Sequence, residues 1–147
     1  MKLFVDEGYL VFVVTNQSGI GRGYYTQEDF NTLTQWMLRQ FEEKEIHVEQ
    51  VYHCPHSPEA QCSCRKPATG MIERALETYA IDLNHSWLVG DKQSDIDLAV
   101  NAGIGSSVFI GEASVAHATV HFDTVIEANQ YFQENTGKIR EIKALKG

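Results

Sequence analysis

The amino-acid sequence predicts an α/β fold built on a parallel sheet with helices on both faces. Apolar runs of strand length alternate along the chain with segments of helical periodicity. The first of those runs is almost uninterrupted, as in a strand covered from both sides. Polar, glycine-bearing motifs follow two of the runs directly, and ligands bind at the carboxyl ends of strands in such sheets.

Taken in order, Tyr9-Leu10-Val11-Phe12-Val13-Val14 is the first strand, and Thr15 to Gly23 is a polar loop at its end. Leu3 to Glu7 reads as the end of a helix feeding that strand. Thr26 reads as an N-cap answered by Asp29, opening a helix from about 27 to 44. Phe30, Leu33, Met37 and Phe41 recur at helical spacing and are expected to face the sheet. Val48 to His53 is a second strand, and 54 to 68 is a loop rich in cysteine, histidine and proline. The next helix runs from Thr69 to about Tyr79, with Met71, Ile72, Ala75, Leu76 and Tyr79 as core contacts. Trp87-Leu88-Val89 is a short buried strand, followed by a helix capped by Ser94 with Asp97 and ending near Gly103. Ser107 to Ile110 is another strand, and a last helix spans about 124 to 133 with Asp123 as its cap. The tail 138–147 has little apolar content and is expected to fray.

A chain of 147 residues suffices for one core, so a single domain over 1–147 is expected. Twenty acidic against 12 basic residues give a formal charge of -8, which disfavours nucleic acid and anionic lipid as partners. A zinc-finger module reading nucleic acid fails on the same charge. No apolar run has the length of a membrane span, and the opening residues lack a signal-peptide pattern, so a cytoplasmic protein without membrane contact is expected.

The polar groups at the strand ends suit a magnesium-dependent phosphate site. Thr15 offers a hydroxyl donor, and the backbone amides of Asn16 and Gln17 extend it; a plain strand-end turn is the alternative. Ser18 belongs to the same substrate-side set, and the glycines from Gly19 to Gly23 allow close backbone approach. Lys66 is a compact positive charge for phosphate, and Arg65 is suited to a forked contact with a substrate oxygen. Asp91, directly after Gly90, can give an oxygen to Mg²⁺. Asp95 acts beside it, through water or by orienting Lys92 or Lys66, whereas Asp97 is a cap partner or a solvated carboxylate.

Three cysteines, Cys54, Cys62 and Cys64, fall within eleven positions together with His56. An odd, clustered set reads as metal ligands in a reducing compartment, and three thiolates with one imidazole complete a tetrahedral Zn²⁺ site. Four protein ligands leave no open position, so the metal is structural and stiffens the loop 54–66 that bears Arg65 and Lys66. His53 competes as a ligand but belongs by alternation to the strand.

The ordered motifs Val13-Val14-Thr15-Asn16-Gln17-Ser18-Gly19-Ile20-Gly21-Arg22-Gly23, Cys54-Pro55-His56, Cys64-Arg65-Lys66-Pro67 and Val89-Gly90-Asp91-Lys92 resemble the haloacid-dehalogenase superfamily. Within it they resemble the branch of D-glycero-D-manno-heptose 1,7-bisphosphate 7-phosphatases and histidinol phosphatases. The resemblance implies Mg²⁺-dependent hydrolysis of a phosphomonoester through an aspartyl-phosphate, with a sugar bisphosphate leading as substrate and histidinol phosphate as the alternative. It assigns phosphate holding to Thr15, neutralisation to Lys66, magnesium to Asp91 with Asp95 nearby, substrate recognition to Arg65, and structural zinc to Cys54, His56, Cys62 and Cys64.

The family's first, central strand ends in Asp-x-Asp-Gly tens of residues ahead of the threonine motif, whereas here fourteen residues precede Thr15. Asp6 is followed two positions on by Gly8, and the chain between it and Tyr9 is too short for a parallel crossover. Asp6 is therefore rejected as the nucleophile, and the sheet is expected to lack that strand. Exposed sheet edges would then favour self-association. A zinc-stabilised domain that binds phosphate or a partner without catalysis is the competing expectation.

Overall fold

The computed structural model describes residues 1–137 and 139, so the expected fraying of 138–147 falls almost wholly outside the described residues. They form two compact units, one spanning Met1–Arg65 and the other starting at Lys66, each with its own parallel sheet.

In the first unit, helix α1 (Lys2–Asp6) is closed by the Tyr9 N–H donating to the Phe4 carbonyl at 3.0 Å. Strand β1 (Val11–Asn16) pairs in parallel with β2 (Val48–Cys54), in a register that sets Thr15 beside His53 and Asn16 beside Cys54. All six β1 residues are half-buried, not buried on both faces as their apolar run suggests, and Leu10 just before them is exposed. Among the described residues the sheet containing β1 has two strands, so its cover is thinner than in the centre of a wide sheet.

A short helix, α2 (Ser18–Gly21), occupies the middle of the expected loop. Helix α3 (Gln27–Glu43) opens on the expected capping box: the Asp29 N–H donates to Thr26 Oγ1 at 3.0 Å and the Thr26 N–H to Asp29 Oδ2 at 2.9 Å. Phe30 is buried, but Leu33 is 63% exposed. The half-buried stripe runs through Thr34, Met37, Leu38 and Phe41, and at about 100° per residue Leu33 stands about 60° to one side of Phe30. Along β2 the buried positions are Val48, Tyr52 and Cys54, so strand alternation turns Cys54 inward with no exposure at all.

In the second unit, α4 (Gly70–Thr78) buries Met71 and Ala75, while Leu76, expected in the core, is 41% exposed on the flank of that stripe. Strands β3 (Trp87–Gly90), β4 (Ser106–Ile110) and β5 (Val120–Phe122) run parallel in that order. Leu88 is buried, but Val89, on the opposite face of β3, is 54% exposed. Strand β5 was not expected, being three residues long with a histidine at its centre.

Helix α5 (Gln93–Ala102) begins before Ser94, and its N-terminal cover comes from the Asp95 carboxylate instead of a Ser94 hydroxyl. Asp97 accepts a hydrogen bond from Gln93 Nε2 and has no capping role. Helix α6 (Val125–Glu134) is capped by Thr124, whose Oγ1 accepts from the Glu127 N–H at 3.2 Å; Asp123 stands one position too early to do so. Met71, Ile96, Leu98, Val108, Phe109 and Ile139 are fully buried in this unit, each contributing about 1.5–3 kcal/mol through burial. Trp87 and Phe132 meet edge to face beside it, with ring centroids 5.6 Å apart.

Candidate active site and metal centre

Strand β1 delivers Thr15 to its carboxyl end. Gln17 Nε2 donates to Thr15 Oγ1 at 2.9 Å, and the Tyr25 hydroxyl donates to Gln17 Oε1 at 2.5 Å. The backbone N–H of Gln17 donates to the Cys54 carbonyl at 2.8 Å. That amide is therefore committed to the protein, which corrects the expectation that it faces a phosphoryl oxygen. Tyr25 was absent from the expected set, because it lies in a non-repeating loop where no periodicity marks it.

Lys66 and Asp95 form a buried ion pair in the second unit. Lys66 Nζ donates to Asp95 Oδ1 at 2.6 Å, with side chains only 14% and 7% exposed. Asp95 Oδ2 accepts from the backbone amides of Asp91 and Lys92 at 3.2 and 3.1 Å. One carboxylate thus clamps both the lysine and the turn leaving β3. Asp95 therefore holds Lys92 by its main chain and leaves that ammonium exposed. Gly90 makes room for the clamp: a Cβ there would lie 2.3 Å from Asp95 Cβ. Asp91 is exposed, and its carboxylate has no hydrogen-bond partner among the described residues. It is an open oxygen donor of the kind a hard cation takes.

Cys54, His56, Cys62 and Cys64 converge, their ligand atoms all within 4.8 Å of one another. Cys54 Sγ lies 3.4 Å from Cys62 Sγ, 2.9 Å from Cys64 Sγ and 3.5 Å from His56 Nδ1, with His56 Nδ1 3.2 Å from Cys64 Sγ. Zn–S bonds of about 2.3 Å set tetrahedral sulfurs about 3.8 Å apart, so the four donors fit around one small soft cation. All three cysteines are free of disulfides. His53 stands apart from them, on the other face of β2, bonded to Gln27 Oε1 at 2.9 Å and packed against the Phe30 ring.

The electrostatics of the cluster favour a metal. Burial works to raise the Cys62 thiol, but hydrogen bonds from the Cys54 thiol and from the Arg65 and Cys64 amides outweigh it and bring its pKa down to about 6. Cys64 is pushed up to about 12 by burial and by the neighbouring Cys54 and Cys62 sulfurs. The lowered Cys62 suits a thiolate and the raised Cys64 resists becoming a second one beside it, a repulsion that a cation held between the two sulfurs would relieve. Arg65 follows directly, half-buried, with Nη1 enclosed and without a hydrogen-bond partner among the described residues. An enclosed guanidinium nitrogen is a donor lacking its acceptor.

The expected residues thus divide between the units: Thr15, Asn16, Gln17, Ser18, Arg65 and the cysteine-histidine cluster in the first, and Lys66, Asp91, Lys92 and Asp95 in the second. Asp6 lies in α1, ion-paired with Lys2 at 2.9 Å on an exposed surface, and not at the end of a strand.

Comparison with known proteins agrees with these motifs. Residues 63–121 match the HAD-hydrolase-like family. The chain is 39% identical over 137 residues to the D-glycero-beta-D-manno-heptose-1,7-bisphosphate 7-phosphatase of Haemophilus ducreyi, covering 87% of this chain and 75% of that protein. It is 40% identical over 111 residues to the D-glycero-alpha-D-manno-heptose-1,7-bisphosphate 7-phosphatase of Campylobacter jejuni, covering 76% of this chain. The chain spans 63% of the length of that relative. The crystal structure of D,D-heptose 1,7-bisphosphate phosphatase from B. bronchiseptica, complexed with magnesium and phosphate, superposes with a TM-score of 0.72 at 27% identity, covering 89% of this chain and 78% of that one. The parallel sheets, the ordered motifs and these similarities together show that the chain belongs to the haloacid-dehalogenase-like phosphatases, in the heptose-1,7-bisphosphate 7-phosphatase family.

Proposed function

We propose that this chain serves magnesium-dependent hydrolysis of a phosphomonoester, with a sugar bisphosphate of the D-glycero-D-manno-heptose 1,7-bisphosphate type as substrate. The observation that carries the reading is the buried clamp of Asp95 on Lys66 and on the amides of Asp91 and Lys92. It fixes a lysine and a strand-end turn while leaving the Asp91 carboxylate open, a costly arrangement for a merely structural ion pair.

In this reading Thr15 holds a phosphoryl oxygen through its hydroxyl, with Asn16 and Ser18 beside it, and Lys66 neutralises the phosphoryl charge. Asp91 would hold Mg²⁺, which when bound supplies Lewis-acid stabilisation of charge on the phosphoryl oxygens. Arg65, whose enclosed Nη1 has no acceptor among the described residues, takes a second anionic group of the substrate, with Lys92 contributing an exposed charge. Cys54, His56, Cys62 and Cys64 would hold a structural Zn²⁺ that shapes the turn into Arg65. Histidinol phosphate carries one phosphate and would leave the second anionic position unused.

Asp6 favours a second reading for the chain by itself. Fixed in a helix and paired with Lys2, it is not poised to attack phosphorus, so these 147 residues would bind phosphate and Mg²⁺ without turning over. Phosphate-release assays with the heptose bisphosphate separate the two readings, rapid Mg²⁺-dependent turnover ruling out the second. Displacement of inorganic phosphate, followed by ³¹P NMR with Mg²⁺ present, tests what they share. The heptose bisphosphate is expected to compete more strongly than histidinol phosphate; equal competition would remove the assignment of Arg65.

A further inference from the structure

We propose that Tyr25 and the Gln17 side chain are positioning residues that set the hydrogen-bond polarity of Thr15, turning its hydroxyl proton towards a bound phosphoryl oxygen. The inference rests on the phosphate-binding reading of Thr15 given above.

The relay runs in one direction. Tyr25 Oη donates to Gln17 Oε1 at 2.5 Å, which turns Gln17 Nε2 to donate to Thr15 Oγ1 at 2.9 Å. A threonine hydroxyl has one proton and two lone pairs. With a lone pair occupied by Gln17, the proton must point elsewhere, and no described residue accepts it. An anion supplies the missing acceptor. The opposite polarity, with Thr15 donating to the amide oxygen and the amide nitrogen to the phenol, would present an oxygen lone pair to the anion and repel it. A carboxamide, having an acceptor on one arm and a donor on the other, suits such a one-way link.

The link is also held in place. The Tyr25 ring lies over Gly19, where a Cβ would stand 2.2 Å from Cε1 and 2.8 Å from Cζ, so only glycine admits the ring there. Backbone bonds of 2.8 Å from Gln17 to the Cys54 carbonyl and from Gly21 to the Pro55 carbonyl anchor the turn that carries Gln17. Adjacent tyrosines differ accordingly: Tyr24 is 75% exposed and Tyr25 half-buried.

The test is inorganic phosphate binding with Mg²⁺ by the full chain, read by ³¹P NMR in wild type and in Thr15→Val, Tyr25→Phe and Gln17→Glu, with circular dichroism as the check of folding. Tyr25→Phe keeps the ring over Gly19 and is expected to weaken binding about three- to tenfold, the worth of one ordinary hydrogen bond. Gln17→Glu obliges both hydroxyls to donate to the new carboxylate and is expected to weaken binding more than about tenfold at pH 7.5. Its deficit relative to wild type should shrink as pH falls towards about 4.5, where a carboxyl gains a proton and can again donate to Thr15. Loss of binding in Thr15→Val together with wild-type binding in Tyr25→Phe and Gln17→Glu overturns the relay and spares the Thr15 assignment. A Gln17→Glu deficit that ignores pH overturns the polarity argument. Undiminished binding in Thr15→Val, or no binding by wild type, overturns the reading beneath it.

Discussion

Replacing Asp95 by asparagine preserves the shape of the buried clamp and removes its charge, which makes the cost calculable. The carboxylate makes three contacts, at 2.6 Å to Lys66 Nζ and at 3.2 and 3.1 Å to the Asp91 and Lys92 amides. If the asparagine oxygen stays with the two amides, its NH₂ group faces an ammonium only 14% exposed, and breaking a buried charge pair costs about 3–5 kcal/mol. If the amide flips, two backbone N–H groups lose their acceptor at about 1–3 kcal/mol each, so either route ends near 4 kcal/mol. For a chain of this size that corresponds to a fall in Tm on the order of 10 °C. Urea unfolding followed by circular dichroism measures it. Adding Lys66→Met to Asp95→Asn should recover part of the loss, because the second change removes the ammonium that has lost its carboxylate. A loss below about 1 kcal/mol, the range of exposed ion pairs, would refute the buried-clamp account.

Asp91→Asn should weaken Mg²⁺ binding by at least about tenfold in calorimetry while leaving stability nearly unchanged, since the exposed carboxylate bonds to no described residue. Cys62→Ser should abolish stoichiometric zinc measured by elemental analysis, and one Zn²⁺ per chain retained in that variant would remove Cys62 from the ligand set. In metal-free protein, alkylation of Cys62 should be half-maximal near pH 6, following its lowered pKa of about 6. The sign follows: a depressed folded pKa contributes stability above the unfolded thiol value, a contribution lost as pH falls from about 9 towards 6. Raised Cys64 opposes this only above about pH 9, where its stabilising share declines towards about 12. Half-maximal alkylation of Cys62 at pH 8–9 would contradict both statements. Thr26→Ala should cost about 1 kcal/mol in thermal unfolding through the lost cap of α3, and no change would show that α3 does not need its box.

What could be read from residues alone divides by the distance to the partner. Thr26 finds Asp29 three positions away, and the cap was legible. Cys54, His56, Cys62 and Cys64 lie within eleven positions, and strand alternation alone turned Cys54 inward and His53 out. Leu33 and Leu76 were misplaced because helical spacing locates a stripe only to within a side chain, and the stripe's centre depends on what packs against it. Strand β5 has almost no pattern of its own and is defined by pairing with β4. At the start of α5 the cause is sharper. Ser94 has the chemistry of a cap, but Lys66, 29 positions before Asp95, holds the Asp95 carboxylate over the turn, where it takes the Asp91 and Lys92 amides and the helix starts ahead of the serine. A local rule lost to a buried charge contact that no local rule contains. The same contact leaves the Asp91 carboxylate without a hydrogen-bond partner among the described residues, so the failed prediction of a cap and the proposed cation site have one cause. In the proposed site Asp95 occupies the Lys66 ammonium and the Asp91 and Lys92 amides, so none of the three is left to draw on the Asp91 carboxylate.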